Sequence, residues 1–265
     1  MLFYIAPWGW CYTGVLARIL VFPNVEKRRE AFEKLDELAK RGEPQEYDRI
    51  HLQNAEYSLN VWIRLLFRVY KHGKLYSDEL SDMYRIEIDV PTEHDSLEGK
   101  FNVKEKREVQ LVYYVTPPVD NVAIMSTEHR AATISRTLKA LQKYGFTPTE
   151  SYVELPRGPR AIEVLRELGD IGWVYVGDIP DIHLRGAGLY GTRLQNSEIL
   201  EDLASRGGRV KAAIIEHPER GVKVILSERG TIYSQEYVDV NTLARIIRGV
   251  LTVMSKYGLV RSGKS

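Results

Sequence analysis

Two carboxylates and a lysine between residues 89 and 100 are the side chains best suited to catalysis. Asp89, Glu98 and Lys100 could together hold a divalent cation and orient a water molecule, as the sites of metal-dependent nucleases do. Glu98 and Lys100, however, follow the turn-like run 91–95 rather than lying on a hydrophobic strand. A solvated hairpin loop is therefore the favoured interpretation, and a metal-dependent nuclease is the less favoured alternative.

Two further patterns that build catalytic or metal sites are not found. No serine lies in a nucleophile elbow, and no two histidines have the spacing of metal ligands on one helix. The histidines are His51, His72, His94, His129, His183 and His217. We therefore predict that the protein is not an enzyme and that it uses no metal and no cofactor.

Two pairs of arginines are candidate anchors for an anion or an acidic partner. Arg157 and Arg160 lie on a turn stiffened by two prolines, although proline and glycine there also fit a simple joint between two halves. Arg64 and Arg68 belong to the basic side of a helix predicted over about 55–72. The cations on that side could contact phosphate, or they could interact with the dipole at the C-terminal end of the helix. The two interpretations are equally favoured.

Hydrophobic periodicity organises the last third of the chain. It predicts short strands with intervening turns and a long terminal helix. Only a few residues separate the successive strands after 210, so these strands must form antiparallel hairpins. The predicted elements are a strand at 182–185, a glycine-rich turn at 186–191, a helix at 196–205, strands at 210–217, 222–227 and 231–235, and a helix at 239–257.

Alternation along these strands predicts one face against the terminal helix and one open face. Val210, Ala212 and Ile214 are expected to face the helix. The open face is expected to hold a partner through Lys211, Ile215, Lys223, Ile225, Ser227 and Tyr233.

The element order and the segments 209–215 and 224–230 resemble one repeat of the TATA-binding-protein fold, as does the helix ending at Tyr257 and Gly258. In that family two repeats form a curved sheet backed by helices, and the concave face grips the DNA minor groove. The family's wedging phenylalanines correspond to Lys211 and Ser227, which cannot act as apolar wedges. The resemblance thus implies a binding platform without DNA kinking.

The glycines at 186, 188 and 191 also fit a dinucleotide-binding fingerprint with Glu216 as the ribose ligand. The acid comes too late in the sequence, and the next strand returns by a hairpin rather than through a crossover helix. We favour glycines that let a strand bend across the sheet.

The first half is predicted to alternate helices and strands. A strand at 2–5 and a short helix from about Tyr12 are favoured over a membrane span, because Pro7, Gly9 and Arg18 interrupt the apolar run. The other predicted elements are helices at 26–41, 55–72, 127–144 and 161–168 and strands at 84–90, 108–116 and 121–126. Helices ending near Tyr144 and Tyr257 share a Lys-Tyr-Gly ending, which suggests an internal duplication.

Composition limits the classes of partner. The 265 residues carry a formal net charge of +1, which is weak for a nucleic-acid binder, and the only cysteine, Cys11, excludes an intrachain disulfide. Abundant charged residues are typical of thermophile proteins, and we expect a cytoplasmic protein without membrane association.

These observations predict an α+β protein with a curved antiparallel sheet backed by helices. Its predicted parts are a mainly helical region at 1–82, a first strand-plus-helix unit at 83–147 and a second, TATA-binding-protein-like unit at 148–265. We expect an adaptor that holds a protein partner or a nucleic acid in a larger assembly, with a DNA-binding protein of the TATA-binding type as the alternative.

Overall fold

The computed structural model describes most of the chain and shows thirteen strands and five α-helices there. The described residues are 14–54, 59–74, 79–96, 99–128, 130–149, 151–153, 155–216, 221–228, 230–234, 236 and 238–262. The strands are β1 Val15–Val21, β2 Gln45–Asn54, β3 Leu59–Lys74, β4 Asp82–Ser96, β5 Gly99–Tyr113, β6 Val122–Thr127, β7 Ser151–Val153, β8 Asp170–Gly177, β9 Gly186–Tyr190, β10 Arg209–Glu216, β11 Lys223–Ser227, β12 Thr231–Ser234 and β13 Val260–Ser262. The helices are α1 Val25–Arg41, α2 Ala131–Gln142, α3 Arg160–Leu168, α4 Glu198–Ser205 and α5 Val240–Lys256.

Eleven of these strands form one open sheet in which every neighbouring pair is antiparallel. The spatial order is β2-β3-β4-β5-β6-β1-β12-β11-β10-β8-β9, so β1 lies in the middle between β6 and β12. Strands β7 and β13 form a separate two-stranded sheet. The predicted α+β class with an antiparallel sheet backed by helices is confirmed.

Strand β1 separates two hydrophobic cores on the two faces of the sheet. Ala17 and Ile19 face one side, where they join buried residues of α3, α4 and α5. Leu20 faces the other side and joins the buried residues of α1 and α2. We call these the α5 side and the α1/α2 side. Because successive side chains of a strand alternate between faces, a single apolar strand can serve both cores.

The helices cover different strands on the two sides. Helices α1 and α2 pack on β3, β4, β5 and β6. Helices α3, α4 and α5 pack on the neighbouring strands β1, β12, β11, β10 and β8. In the described part of the chain no helix covers the α1/α2 side of β8–β12, and this surface is the open face discussed below.

Several predicted elements are confirmed, although β4 ends six residues later and β5 begins nine residues earlier than predicted. The hairpins β10–β11 and β11–β12 are antiparallel as predicted. Helix α5 begins after Asp239, whose carboxylate accepts hydrogen bonds from the backbone N–H groups of Asn241 and Thr242. Helices α1, α2, α3 and α4 and strands β4, β5 and β6 also occupy their predicted segments.

The helix predicted over 55–72 is wrong, and with it the mainly helical character of the N-terminal region. Residues from Leu59 to Lys74 form strand β3, in which Leu65, Phe67 and Val69 are buried in the core under α1 and α2. This stretch is rich in aromatic and β-branched residues that suit a strand. Its apolar spacing also fits a helix, and the pairing with β2 and β4 decides between the two.

The N-terminal predictions are only partly within the described residues. The strand predicted at 2–5 lies outside them. The short helix predicted from about Tyr12 is wrong at 15–21, where β1 pairs with two neighbours. None of the helices in the described part of the chain is long and apolar enough to cross a bilayer.

On each side of the central strand β1, the neighbouring strand is followed in the sequence by one helix. Strand β6 leads to α2 and strand β12 leads to α5, and both strands lie next to β1. Gly145 and Gly258 follow these helices with positive φ angles of 91° and 67°, a backbone conformation that favours glycine. The two helices nevertheless pack on opposite sides of the sheet. Internal duplication and resemblance to the TATA-binding protein stay predictions.

Three buried tyrosines predict that stability falls in alkaline solution. Burial raises the pKa of Tyr47 to about 12 and raises the pKa values of Tyr84 and Tyr114 well above their ordinary value. The unfolded chain ionises its tyrosines near pH 10. Since the folded pKa values are higher, this contribution to stability is complete below about pH 10 and is lost as the pH rises toward about 12.

Urea unfolding at about pH 8 and about pH 11 measures this loss. Tyr114→Phe should reduce the difference in unfolding free energy between the two pH values. Tyr190→Phe should leave that difference unchanged, because Tyr190 is 88% exposed. Titration of all sixteen tyrosines at 295 nm near pH 10 in the folded protein would contradict the prediction.

Candidate binding face

A β-bulge in β10 determines which residues point to the open face. Val210 pairs with Val176 and Ala212 pairs with Tyr175, so Lys211 is the extra residue of the bulged strand. After the bulge the alternation is reversed relative to the sequence-based assignment. Ile215 is buried in the core on the α5 side, at 1% exposure, and the prediction that it lies on the open face is wrong. Ile214 takes that place.

A row of apolar and aromatic side chains crosses six strands of the open face. The cross-strand partners are Leu16 with Tyr233, Tyr233 with Ile225, Ile225 with Ile214, Ile214 with Trp173, and Trp173 with Tyr190. We call these six residues the apolar row. At one end Leu16 packs against the core under α1 and α2, and at the other end Tyr190 is 88% exposed. The row thus leads from a core to solvent.

Sequence reasoning placed Ile225, Ser227, Lys223 and Tyr233 correctly on the open face. Their neighbours Val224, Leu226 and Ile232 are buried on the α5 side, which requires the alternate residues to face the other way. Trp173 and Tyr190 were missed because strand β8 was not predicted. The four consecutive aromatic and β-branched residues from Trp173 to Val176 are the signal that could have revealed it.

The glycines at 186 and 188 belong to the edge strand β9 and not to a turn. They alternate with Ala187 and Leu189, which pack against the core on the α5 side. A Cβ at Gly186 would lie 2.5 Å from the Tyr175 hydroxyl oxygen, so glycine leaves room for that ring. The predicted glycine-rich turn is wrong. The dinucleotide alternative fails too, since this segment is itself an antiparallel strand.

Ion pairs hold the cations at the rim of the open face. The Lys211 ammonium lies 2.7 Å from Asp178 and 3.0 Å from Glu228, and Lys223 lies 3.8 Å from Glu216. Burial alone would lower the pKa of Lys211, but its hydrogen bonds to both carboxylates raise it. The bond from Lys211 in turn lowers the pKa of Asp178. Both lysines are already paired with carboxylates.

Arg157 and Arg160 do not form one anchor. Arg157 is exposed and bridges β10 through its backbone at Arg209. Arg160 opens α3, and its guanidinium carbon lies 5.4 Å from the centre of the Tyr257 ring. Among the described residues no contact is seen that the two side chains share, so the structure gives no shared anion site on this turn.

Arg64 and Arg68 lie on the α5 side of β3, opposite to the open face. They alternate with Leu65 and Phe67, which are buried under α1 and α2. Arg64 is 3.7 Å from Glu46, and Arg68 stacks on Tyr70 with 5.1 Å from the guanidinium carbon to the ring centre. Their expected helical neighbour Lys71 faces the other side, where it pairs with Asp36 and Asp82.

Asp89 has a structural role in the middle of β4. Its Oδ2 accepts a hydrogen bond of 3.0 Å from the backbone N–H of Leu66 and lies 3.2 Å from the Lys104 ammonium. Lys100 pairs through its backbone with Asp95, about 20 Å further along the strand by strand geometry. Glu98 lies outside the described residues. Within those residues no cluster of metal ligands is found, so the geometry does not assemble the nuclease site.

The end of the sequence matches the phosphate-binding pattern G-x4-G-K-S from Gly258 to Ser265. That pattern binds phosphate where it follows a strand and opens a helix. Here α5 precedes Gly258 and Val260–Ser262 form strand β13, while residues 263–265 lie outside the described part. The described context is not that of a phosphate-binding loop.

Comparison with models of known protein families gives no match, and no curated protein matches the chain either.

Proposed function

We propose that this protein is a non-catalytic binding protein whose open face holds a protein partner through the apolar row. The observation that carries the proposal is the continuous row from Leu16 to Tyr190 across six strands on a face that no described helix covers. Tyr190 is exposed and the other five residues of the row are half-buried, and a contiguous apolar surface that solvent reaches is typical of interaction sites. Aromatic residues such as Trp173, Tyr190 and Tyr233 are the side chains that most often anchor protein interfaces.

The charges around the row favour a protein over a nucleic acid. Affinity for nucleic acid comes mainly from cations that neutralise phosphates. Lys211 is engaged with two carboxylates and Lys223 with one, so both lysines would have to break existing pairs. An apolar centre with a polar, paired rim is the usual anatomy of a protein–protein interface.

Ile225→Lys is expected to weaken binding of the partner at least about tenfold, because it places a charge at the centre of the apolar row. Ile199→Lys is the matched control, since Ile199 is 63% exposed on α4 and lies away from the row. Complexes captured with the wild type and with both variants are compared by mass spectrometry. The protein lost only with Ile225→Lys is then purified, and its affinity for each variant is measured directly.

A photo-cross-linking amino acid in place of Tyr190 should couple to the purified partner, and the same group in place of Ile199 should not. Equal affinity of the two lysine variants would refute the proposal. Two other occupants have distinct signatures. If Ile225→Lys dissociates a dimer in analytical ultracentrifugation, the face binds a second copy of this chain. If the protein binds duplex DNA with an affinity that falls steeply as the salt concentration rises, the face binds nucleic acid.

A further inference from the structure

The segment from Arg130 to Thr149 concentrates positive charge in a chain whose net charge is only +1. It contains four cations, Arg130, Arg136, Lys139 and Lys143, and no acidic residue. Helix α1 on the same side of the sheet differs, because Lys27 and Lys34 pair with glutamates three positions later. Within α2 there is no carboxylate to form such pairs. Unbalanced charge on one helix is unfavourable unless something else compensates it.

Three of these cations surround one cavity. Arg136, Lys139 and Lys143 follow a spacing of three and four residues, which places them on one side of the helix. They line a cavity of about 330 Å³ together with Ser135 and, from strand β2, Tyr47 and Asp48. The single carboxylate of the lining, Asp48, accepts a hydrogen bond from the backbone N–H of Arg49. The lining therefore has three cations against one anion.

Two of the three cations are not engaged elsewhere in the described part of the chain. Neither Arg136 nor Lys139 has a hydrogen bond or an ion pair with any described residue. The Lys143 ammonium donates to the Tyr47 carbonyl oxygen, which fixes it at the edge of the cavity. An ammonium has three N–H donors, so this contact uses one of them.

We infer that this cavity is a binding site for the phosphate group of a small molecule. The guanidinium of Arg136 provides a planar fork of N–H donors, which matches the oxygens of a phosphate group, and the two lysines supply further charge. The hydroxyl of Ser135 adds a neutral donor. A phosphate dianion would balance the excess of two positive charges in the lining. The inference is independent of the open face, because the cavity lies between α2 and β2.

The size of the cavity decides between free and polymeric sources of phosphate. A volume of about 330 Å³ is at the lower end of the range of small-molecule pockets. A single-stranded nucleic acid instead needs a groove with stacking aromatic side chains along its path. The aromatic residue of this lining, Tyr47, is buried, and its hydroxyl donates to the Asp89 carbonyl oxygen. A small phosphorylated molecule is the ligand that fits.

Isothermal titration with inorganic pyrophosphate as the probe tests the site. The wild type should bind one equivalent saturably, and Arg136→Gln and Lys139→Gln should each weaken binding about tenfold. Arg206→Gln on the far side of the sheet is the matched control and should bind as the wild type does. All three substituted side chains are at the surface or half-buried, so unchanged thermal unfolding verifies that the variants are folded.

Three results would overturn the inference. Pyrophosphate could fail to saturate the wild type, or it could bind Arg136→Gln and Arg206→Gln equally well. A single-stranded oligonucleotide could bind with dependence on Arg136 while pyrophosphate does not, which would replace the small ligand by a polymer. A parallel titration with inorganic phosphate shows whether the site binds a single phosphate group or needs two.

Discussion

Arg28→Ala lowers the free energy of unfolding by about 3 kcal/mol, the largest loss that we expect from a single substitution outside the apolar cores. The Arg28 side chain is 8% exposed, and one guanidinium nitrogen donates to the carbonyl oxygens of Tyr114 and Asp120. Its guanidinium carbon also lies 4.3 Å from the centre of the Tyr113 ring. Burial lowers the pKa of this group, but a guanidinium stays ionised in proteins.

The size of this effect follows from what the substitution leaves behind. Arg28 ties α1 to the chain between β5 and β6, and alanine would leave the buried carbonyl oxygen of Tyr114 and the half-buried one of Asp120 without this donor. Urea unfolding measures the loss, with Arg29→Ala as the control on the exposed side of the same helix turn. That control should change stability by less than about 0.5 kcal/mol. A difference between the two variants below about 1 kcal/mol would show that other donors replace the guanidinium.

Asp89→Ala should cost about 2 kcal/mol and should loosen the sheet where two hairpins separate. The β3–β4 ladder runs from Lys74 and Asp82 to Phe67 and Ile88, and the described residues show no pairing beyond that point. The Asp89 carboxylate occupies this position and accepts the next N–H, that of Leu66, at 3.0 Å. Alanine leaves that N–H and the Lys104 ammonium without their acceptor. Hydrogen exchange at Leu66 should therefore accelerate.

Asp89→Asn distinguishes hydrogen bonding from charge. The amide oxygen of asparagine can still accept from Leu66, so this variant should lose only the attraction to Lys104, about 1 kcal/mol or less. If protection of the Leu66 amide against exchange were the same in the alanine variant and the wild type, the structural role of Asp89 would be wrong. Divalent-cation-dependent cleavage of DNA or RNA that disappears in both variants would instead revive the nuclease alternative.

Much of the open face could be read from local sequence. The connections of six and three residues between β10, β11 and β12 are too short for a crossover and permit only hairpins, and alternation then places Ile225, Ser227 and Tyr233 on one face. Helices α1 and α5 could be predicted for the same reason, since each has a capping residue and an apolar stripe at helical spacing. In these elements the neighbours that fix the structure lie close by in the sequence.

Strand β3 and the cavity beside α2 could not be predicted, because both depend on contacts between segments that are distant in the sequence. The segment of β3 has apolar residues that suit a helix or a strand, and only its pairing with β2 and β4 selects the strand. The cations of α2 are visible in the sequence, but the cavity that they line exists only because β2 lies against that helix.

The sequence by itself determined that the C-terminal strands form hairpins with one apolar side against a terminal helix. The tertiary structure decided which side chains stand on the other side. A single extra residue at Lys211 exchanges Ile214 and Ile215 between the two faces, because side chains alternate with a period of two. The pairing of β8 with β10 then adds Trp173 and Tyr190, and through them a hairpin surface becomes a row across six strands.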